Sequence, residues 1–247
     1  MKKNAKIKVI NILSAVAVMV LIGVMCYVSL QHAELRRDIC YTADFSDMHV
    51  ELYPQYPVSD EACVYQEFLL TLNGKEFRKN WEWKAGEQES FAEAPSIYYA
   101  DINHDQEQEL IFVFFNGVDR GTSVCLESIY ITDKNGKEYP VEDALQYVRE
   151  YAQFDLSKEK EQVLIDITME DMQKQLEYAN ELFPDLETLD SASCPDWVEY
   201  RVENNQLLAT IPVFVYATFP LPDAIHLQYE EIDGAFQITG FTCVPNL

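Results

Sequence analysis

Residues 101–115 read DINHDQEQELIFVFF, an acidic connection running straight into an unbroken apolar run. Leu110 to Phe115 carries apolar side chains at both odd and even positions, so as a strand it is hydrophobic on both faces. A strand of that kind belongs in the middle of a structure, covered from two sides. Strand patterns flank it: SIYYADI before it, and after it SVCLESIYIT, followed by the hairpin-type turn DKNG at 133–136.

Outward from this centre the chain alternates irregularly. Ser59-Asp60-Glu61 offers an N-cap and acidic first turn for a helix to Leu72, with Ala62, Tyr65, Phe68, Leu69 and Leu72 as its stripe and Asn73-Gly74 as its stop. VEDALQYVREYA (141–152) reads as a helix and EQVLIDIT (161–168) as a strand. Thr168 with the following EDMQKQLEYANELF reads as a second capped helix, closed by Pro184. The last quarter is β: WVEYRVE, a turn at NNQ, LLATIPVFVYA, AIHLQYEEI, the turn Asp233-Gly234, and AFQITGFTCV. Runs of helix and strand without regular βαβ alternation predict an α+β fold, mainly antiparallel sheet with packed helices.

The N-terminus carries a different signal. Val9 to Leu30 is almost wholly apolar and long enough for a transmembrane helix of roughly 33 Å at ~1.5 Å per residue. Lys2, Lys3, Lys6 and Lys8 precede it, so the positive-inside rule predicts a cytoplasmic tail (1–8), a single-pass anchor (9–30), a stalk (31–58) and an extracytoplasmic domain (59–247). That domain has one body or two lobes divided near 184–195. The expected localisation is the cell membrane. A net charge of −24 and a pI near 4.3 repel phosphate backbones, which excludes nucleic acid as a partner. The expected partner is a protein or a cell-envelope ligand.

Catalytic motifs are absent: the sequence holds no H-E-x-x-H, G-x-S-x-G or P-loop spacing, and no C-x-x-C. The segment with chemistry is 101–109. Oxygen donors at positions 1, 3 and 5, a backbone carbonyl at 7 and a carboxylate at 9 are what a short loop needs to wrap a hard cation. Asp101, Asn103, Asp105, Glu107 and Glu109 occupy those positions, and Ca²⁺ is the expected ion. Here the chain resembles the D-x-[DN]-x-D-G-x-x-[DE] calcium loops of EF-hand-like and integrin-type repeats, departing from them at Gln106, where the family has a turn-forming Gly. The departure predicts left-handed backbone strain of about 1 kcal/mol at that residue.

The wider stretch from Ala100 to Ile131, with Gly121-Thr122 and Glu127, is similar to a pattern in uncharacterised membrane-anchored or lipid-anchored exterior proteins of Gram-positive bacteria. That resemblance implies an exterior protein and brings no established activity. The function expected is therefore non-catalytic binding or sensing with calcium as a stabiliser. The competing reading is a surface hydrolase using a carboxylate pair, Asp101 or Asp105 with Glu127, since paired acids leave no sequence signature. Two weaker candidates are the anion-cradling loop 116–123 and a carbohydrate-stacking platform of Trp81, Trp83, Phe91, Tyr98 and Tyr99.

Overall fold

The computed structural model describes residues 40–55, 57–59, 64–84, 94–119, 124–183, 185–216 and 219–245. Strands make up 64% of the described residues, against one helix, so the sheets alone must supply the layers that bury apolar surface. The first sheet is antiparallel with order β1 (Tyr41–Asp44), β2 (His49–Pro54), β5 (Phe68–Leu72), β6 (Lys75–Lys79). A small sheet of β3 (Pro57–Ser59), β4 (Val64–Tyr65) and β7 (Trp83–Lys84) stands beside it. The central sheet runs β11 (Glu138–Tyr139), β10 (Val124–Thr132), β9 (Glu109–Asp119), β8 (Ser96–Ala100).

Helix α1 (Ala144–Tyr151) follows, its first turn capped by Asp143 Oδ1 accepting from the Gln146 amide at 2.7 Å. Then come the three-stranded sheet β12 (Ala152–Lys158), β13 (Gln162–Met169), β14 (Met172–Ala179) and the sheet β15 (Ala192–Ser193), β17 (Gln206–Val215), β18 (Phe219–Ile232), β19 (Ala235–Pro245). β16 (Glu199–Glu203) pairs with the outer part of β17.

β9 explains the arrangement. Its even residues Leu110, Phe112 and Phe114 enter a core with the first sheet, Trp81 and Trp83, while Ile111 and Val113 enter a second core with β13, β17, β18 and β19. The doubly apolar run thus lies in the middle layer, as its composition requires. Across the first interface, buried Lys79 donates to the Gly136 carbonyl at 2.7 Å and to Glu138 at 2.8 Å, and Trp83 Nε1 donates to the Phe115 carbonyl at 2.9 Å. Residues on both sides of 184–195, such as Tyr178 and Val198, share the second core. β9 contributes to both cores.

Two corrections follow. The α+β expectation gives way to a β-rich fold. Of 59–72, residues 60–63 lie outside the described residues and no described residue is helical: β5 is buried at all five positions and turns at Asn73-Gly74, both with positive φ (47° and 82°), into β6. Asn-Gly there is a hairpin turn rather than a helix stop. In 168–183, Met169 pairs with Met172 around a two-residue turn, and Leu176 and Tyr178 point inward from β14. The alternating buried residues of β13 require a paired neighbour, and that demand overrides the helix propensity of the segment.

The second correction concerns the membrane. The anchor Val9–Leu30, the tail before it and residues 31–39 of the stalk lie outside the described residues. Among the described residues no helix is long and apolar enough to cross a membrane, since α1, at eight residues, spans about 12 Å against the ~30 Å needed. Attachment through an N-terminal transmembrane helix, and with it the single-pass cell-membrane location and the cell-envelope partner, has no support in the structure. The later part of the supposed stalk forms β1 and β2, whose Val50 and Leu52 are fully buried.

Candidate functional site

The acidic segment is the connection from β8 to β9, which are antiparallel neighbours with Ala100 opposite Glu109. Buried Ile102 plugs the start of the connection into the second core. Three carboxyl or amide side chains then organise the backbone. Asn103 Oδ1 accepts from the Asp105 amide at 3.1 Å, Asp105 Oδ1 from the Glu107 amide at 2.7 Å, and Asp101 Oδ2 from the Gln106 amide at 3.2 Å. The first two are Asx-type turns, favoured because a short side chain replaces a backbone acceptor two residues along, while Asp101 reaches across five residues. They force His104 and Gln106 to φ of 61° and 74°. Gln106 therefore occupies the left-handed position that the resemblance assigns to glycine.

Glu109 closes the loop from beneath. It is 1% exposed, and its Oε2 accepts from the Ile102 amide at 3.1 Å. Burial pushes its carboxyl up to about 7; the Ile102 hydrogen bond opposes this, and the neighbouring charges of Asp105 and Asp101 add to it. Asp101 Oδ1 is buried and has no hydrogen-bond partner. A carboxylate oxygen sealed from water with no donor is costly unless something positive reaches it. From the β10–β11 turn, Lys134 pairs with Glu107 of the loop at 2.9 Å on the exposed side.

The donor types and the backbone suit a calcium ion: Asp101, Asn103, Asp105 and Glu109 through side chains, Glu107 through its carbonyl. Among the described residues no group of three or more His, Cys, Asp or Glu side chains is placed to hold a metal ion. In this arrangement Asp101, Asp105 and Glu109 each direct one carboxylate oxygen to a backbone amide.

The carboxylate pair of the hydrolase reading is not assembled. Glu127 pairs with Phe115, six residues along β9 from Glu109 at the loop end, about 20 Å at strand spacing. Paired acids in glycoside hydrolysis stand roughly 5–9.5 Å apart. Trp81 and Trp83 are 1% exposed core residues, Tyr98 and Tyr99 are half-buried, and Phe91 lies outside the described residues, so no stacking platform is presented by the tryptophans. Loop residues 120–123 of the anion candidate lie outside the described residues, as does Cys63. Cys40, Cys194 and Cys243 are free thiols, the last two pushed up by burial to about 12 and about 11.

Sequence reasoning overlooked the surroundings of Glu127. Its Oε2 accepts from the Tyr200 amide at 2.5 Å, and it lines a cleft of about 450 Å³ between the central sheet, the segment before α1 and β16. Nothing in its spacing signals this, because β10 and β16 are some seventy residues apart. Comparison with family models, curated proteins and solved structures returned no match to this chain.

Proposed function

We propose that this chain is a non-catalytic binding domain in which the β8–β9 loop takes a calcium ion as a structural staple. The observation that carries the reading is the orphaned Asp101 Oδ1 lying in the same loop as the buried Glu109 carboxyl, two acidic groups that a cation from outside the chain would satisfy together. The left-handed backbone at Gln106, and the resemblance of Asp101–Glu109 to EF-hand-like loops, add to it. Asp101, Asn103, Asp105 and Glu109 hold the ion by side-chain oxygens and Glu107 by its carbonyl. Bound calcium joins the end of β8 to the start of β9 and replaces carboxylate repulsion by attraction, so its effect is on the stability of the central sheet rather than on any chemical step.

Thermal unfolding of the full chain tests it. Calcium at about tenfold above Kd stabilises by roughly 1.4 kcal/mol, a rise of a few degrees in Tm for a domain of this size. Asp101→Asn with Asp105→Asn abolishes that response and, by relieving repulsion, leaves the calcium-free Tm equal to or above wild type. An unchanged wild-type melt at millimolar calcium overturns the reading.

A further inference from the structure

Of the described histidines only His226 is buried, at 8% exposed. It stands on β18 opposite Thr210 of β17 and Thr242 of β19, on the face turned away from Ile225 and Leu227, which enter the second core. Arg201 of β16 lies opposite Leu208, which in turn lies opposite Gln228, so it shares the face of His226. From β16 its side chain crosses β17. Its Nη2 stands 3.0 Å from Nδ1 and 2.9 Å from Nε2 of the His226 ring.

A guanidinium keeps its charge at every pH at which proteins fold, so the state of the ring decides this contact. Neutral imidazole has one nitrogen free to accept in either tautomer, whereas imidazolium has only donors. Protonation therefore replaces a hydrogen bond by two like charges at the same distance, in a half-buried place where water screens little. Burial, and after it Arg201, hold the ring's protonation below the ordinary 6.5; Glu203 acts in the opposite direction. Glu203 is itself exposed, and its carboxylate lies 3.1 Å from Arg201 Nε. The other acidic groups on this face, Glu199 opposite Thr210 and Glu230 further along β18, are exposed, and Thr210, Gln228 and Thr242 around the ring carry no charge.

β16 is the strand that such a repulsion would move. Its ladder runs to β17, and between its ends the Tyr200 amide donates to Glu127 of β10 at 2.5 Å, so β16 joins the C-terminal sheet to the central one. We propose that Arg201 and His226 form an acid-released latch, in which protonation of the ring drives the guanidinium away and frees β16 from both β17 and β10. The released ring takes up a proton that the latched ring refuses, so the latch is closed above about pH 6.5 and gives way as pH falls below it. It does not involve the β8–β9 loop, and calcium plays no part in it.

Hydrogen exchange of the full chain in EGTA, read at amides 199–203 and corrected for the intrinsic pH dependence of exchange, tests the proposal. Between about pH 7.5 and about pH 5.5 protection there should fall roughly tenfold, the ratio for a released ring that titrates at 6.5 and a latched ring that stays neutral. His226→Gln, which keeps an acceptor for Arg201 at every pH, should abolish the acid effect. In Arg201→Gln the effect should shrink, and the nuclear magnetic resonance titration of the His226 ring should move up toward 6.5. Flat protection of wild type across that range overturns the latch, as does an equal fall in His226→Gln or an unmoved ring titration in Arg201→Gln. Equal protection of 199–203 and of β13 at about pH 5.5 also overturns it, since the whole domain would then be opening. The wild-type exchange and the Arg201→Gln titration decide the matter even if His226→Gln misfolds.

Discussion

The two faces of β9 are built from different materials. Toward the first sheet, Phe112 and Phe114 lock into Trp81, Trp83, Phe68 and Tyr130, with ring centroids 4.9 to 6.1 Å apart in tilted, edge-on and stacked contacts. Toward the C-terminal sheets, Ile111 and Val113 join a core that is mostly aliphatic, with Val163, Ile165, Ile167, Val213 and Ile225 fully buried. Interlocked rings cannot close over a missing member, whereas rows of branched aliphatic side chains lose little when one methyl goes. One strand therefore carries a brittle face and a tolerant face, and at its first residue, Glu109, it carries the buried carboxyl.

The sharpest way to break the comparison is truncation. Phe114→Ala should cost about 3–5 kcal/mol in urea unfolding and Ile111→Val about 0.5–1.5 kcal/mol; equal losses per methylene removed would show that the two faces do not differ. At the start of the strand, Glu109 makes a prediction in pH. Its folded value of about 7 lies above the ordinary 4.5, so the folded chain holds a proton that the unfolded chain has released. Stability is then full below about pH 4.5 and falls by at most roughly 3 kcal/mol as pH rises to about 7. Melts in EGTA across that window should show the decline, and Glu109→Gln should remove this part of it.

The next effect compares the two turns at that end of the central sheet. Gly136 has φ 78°, and a Cβ there would lie 2.5 Å from Cδ1 of Phe77, so Gly136→Ala should destabilise by about 1–3 kcal/mol. Gln106 has nearly the same φ without being glycine. Gln106→Gly should relieve about 1 kcal/mol of strain, partly offset by the greater freedom of the unfolded chain, and should tighten calcium binding. A Tm lowered by both substitutions would mean that Gln106 makes contacts worth more than its strain.

Much of this was legible in residue order. The run Leu110–Phe115 announced a strand covered on both sides, Asp133–Gly136 and Asp233-Gly234 announced their turns, and the apolar stripe of 141–152 announced the helix. The resemblance of Asp101–Glu109 to calcium loops with Gly in the place of Gln106 also implied left-handed backbone there, which the loop has. These are local properties: turn chemistry, capping and periodicity act over a few residues, and no distant partner is needed to read them.

What tertiary structure decided were the ambiguous and the distant. Residues 68–72, apolar throughout but for Thr71, and 172–179, with apolar residues at both helical and strand spacing, fit helix and strand alike, and the neighbouring strands β2 and β13, which need their backbone groups paired, settle the choice. The burial of Glu109 arises because Ala100 and Glu109 pair at the base of the loop, while Glu127 and Glu142 share a cleft because β10, the segment before α1 and Tyr200 pack together. Sequence by itself determined which residues wished to turn, cap or be covered; folding decided what covered them, because burial depends on groups brought together from anywhere along the chain.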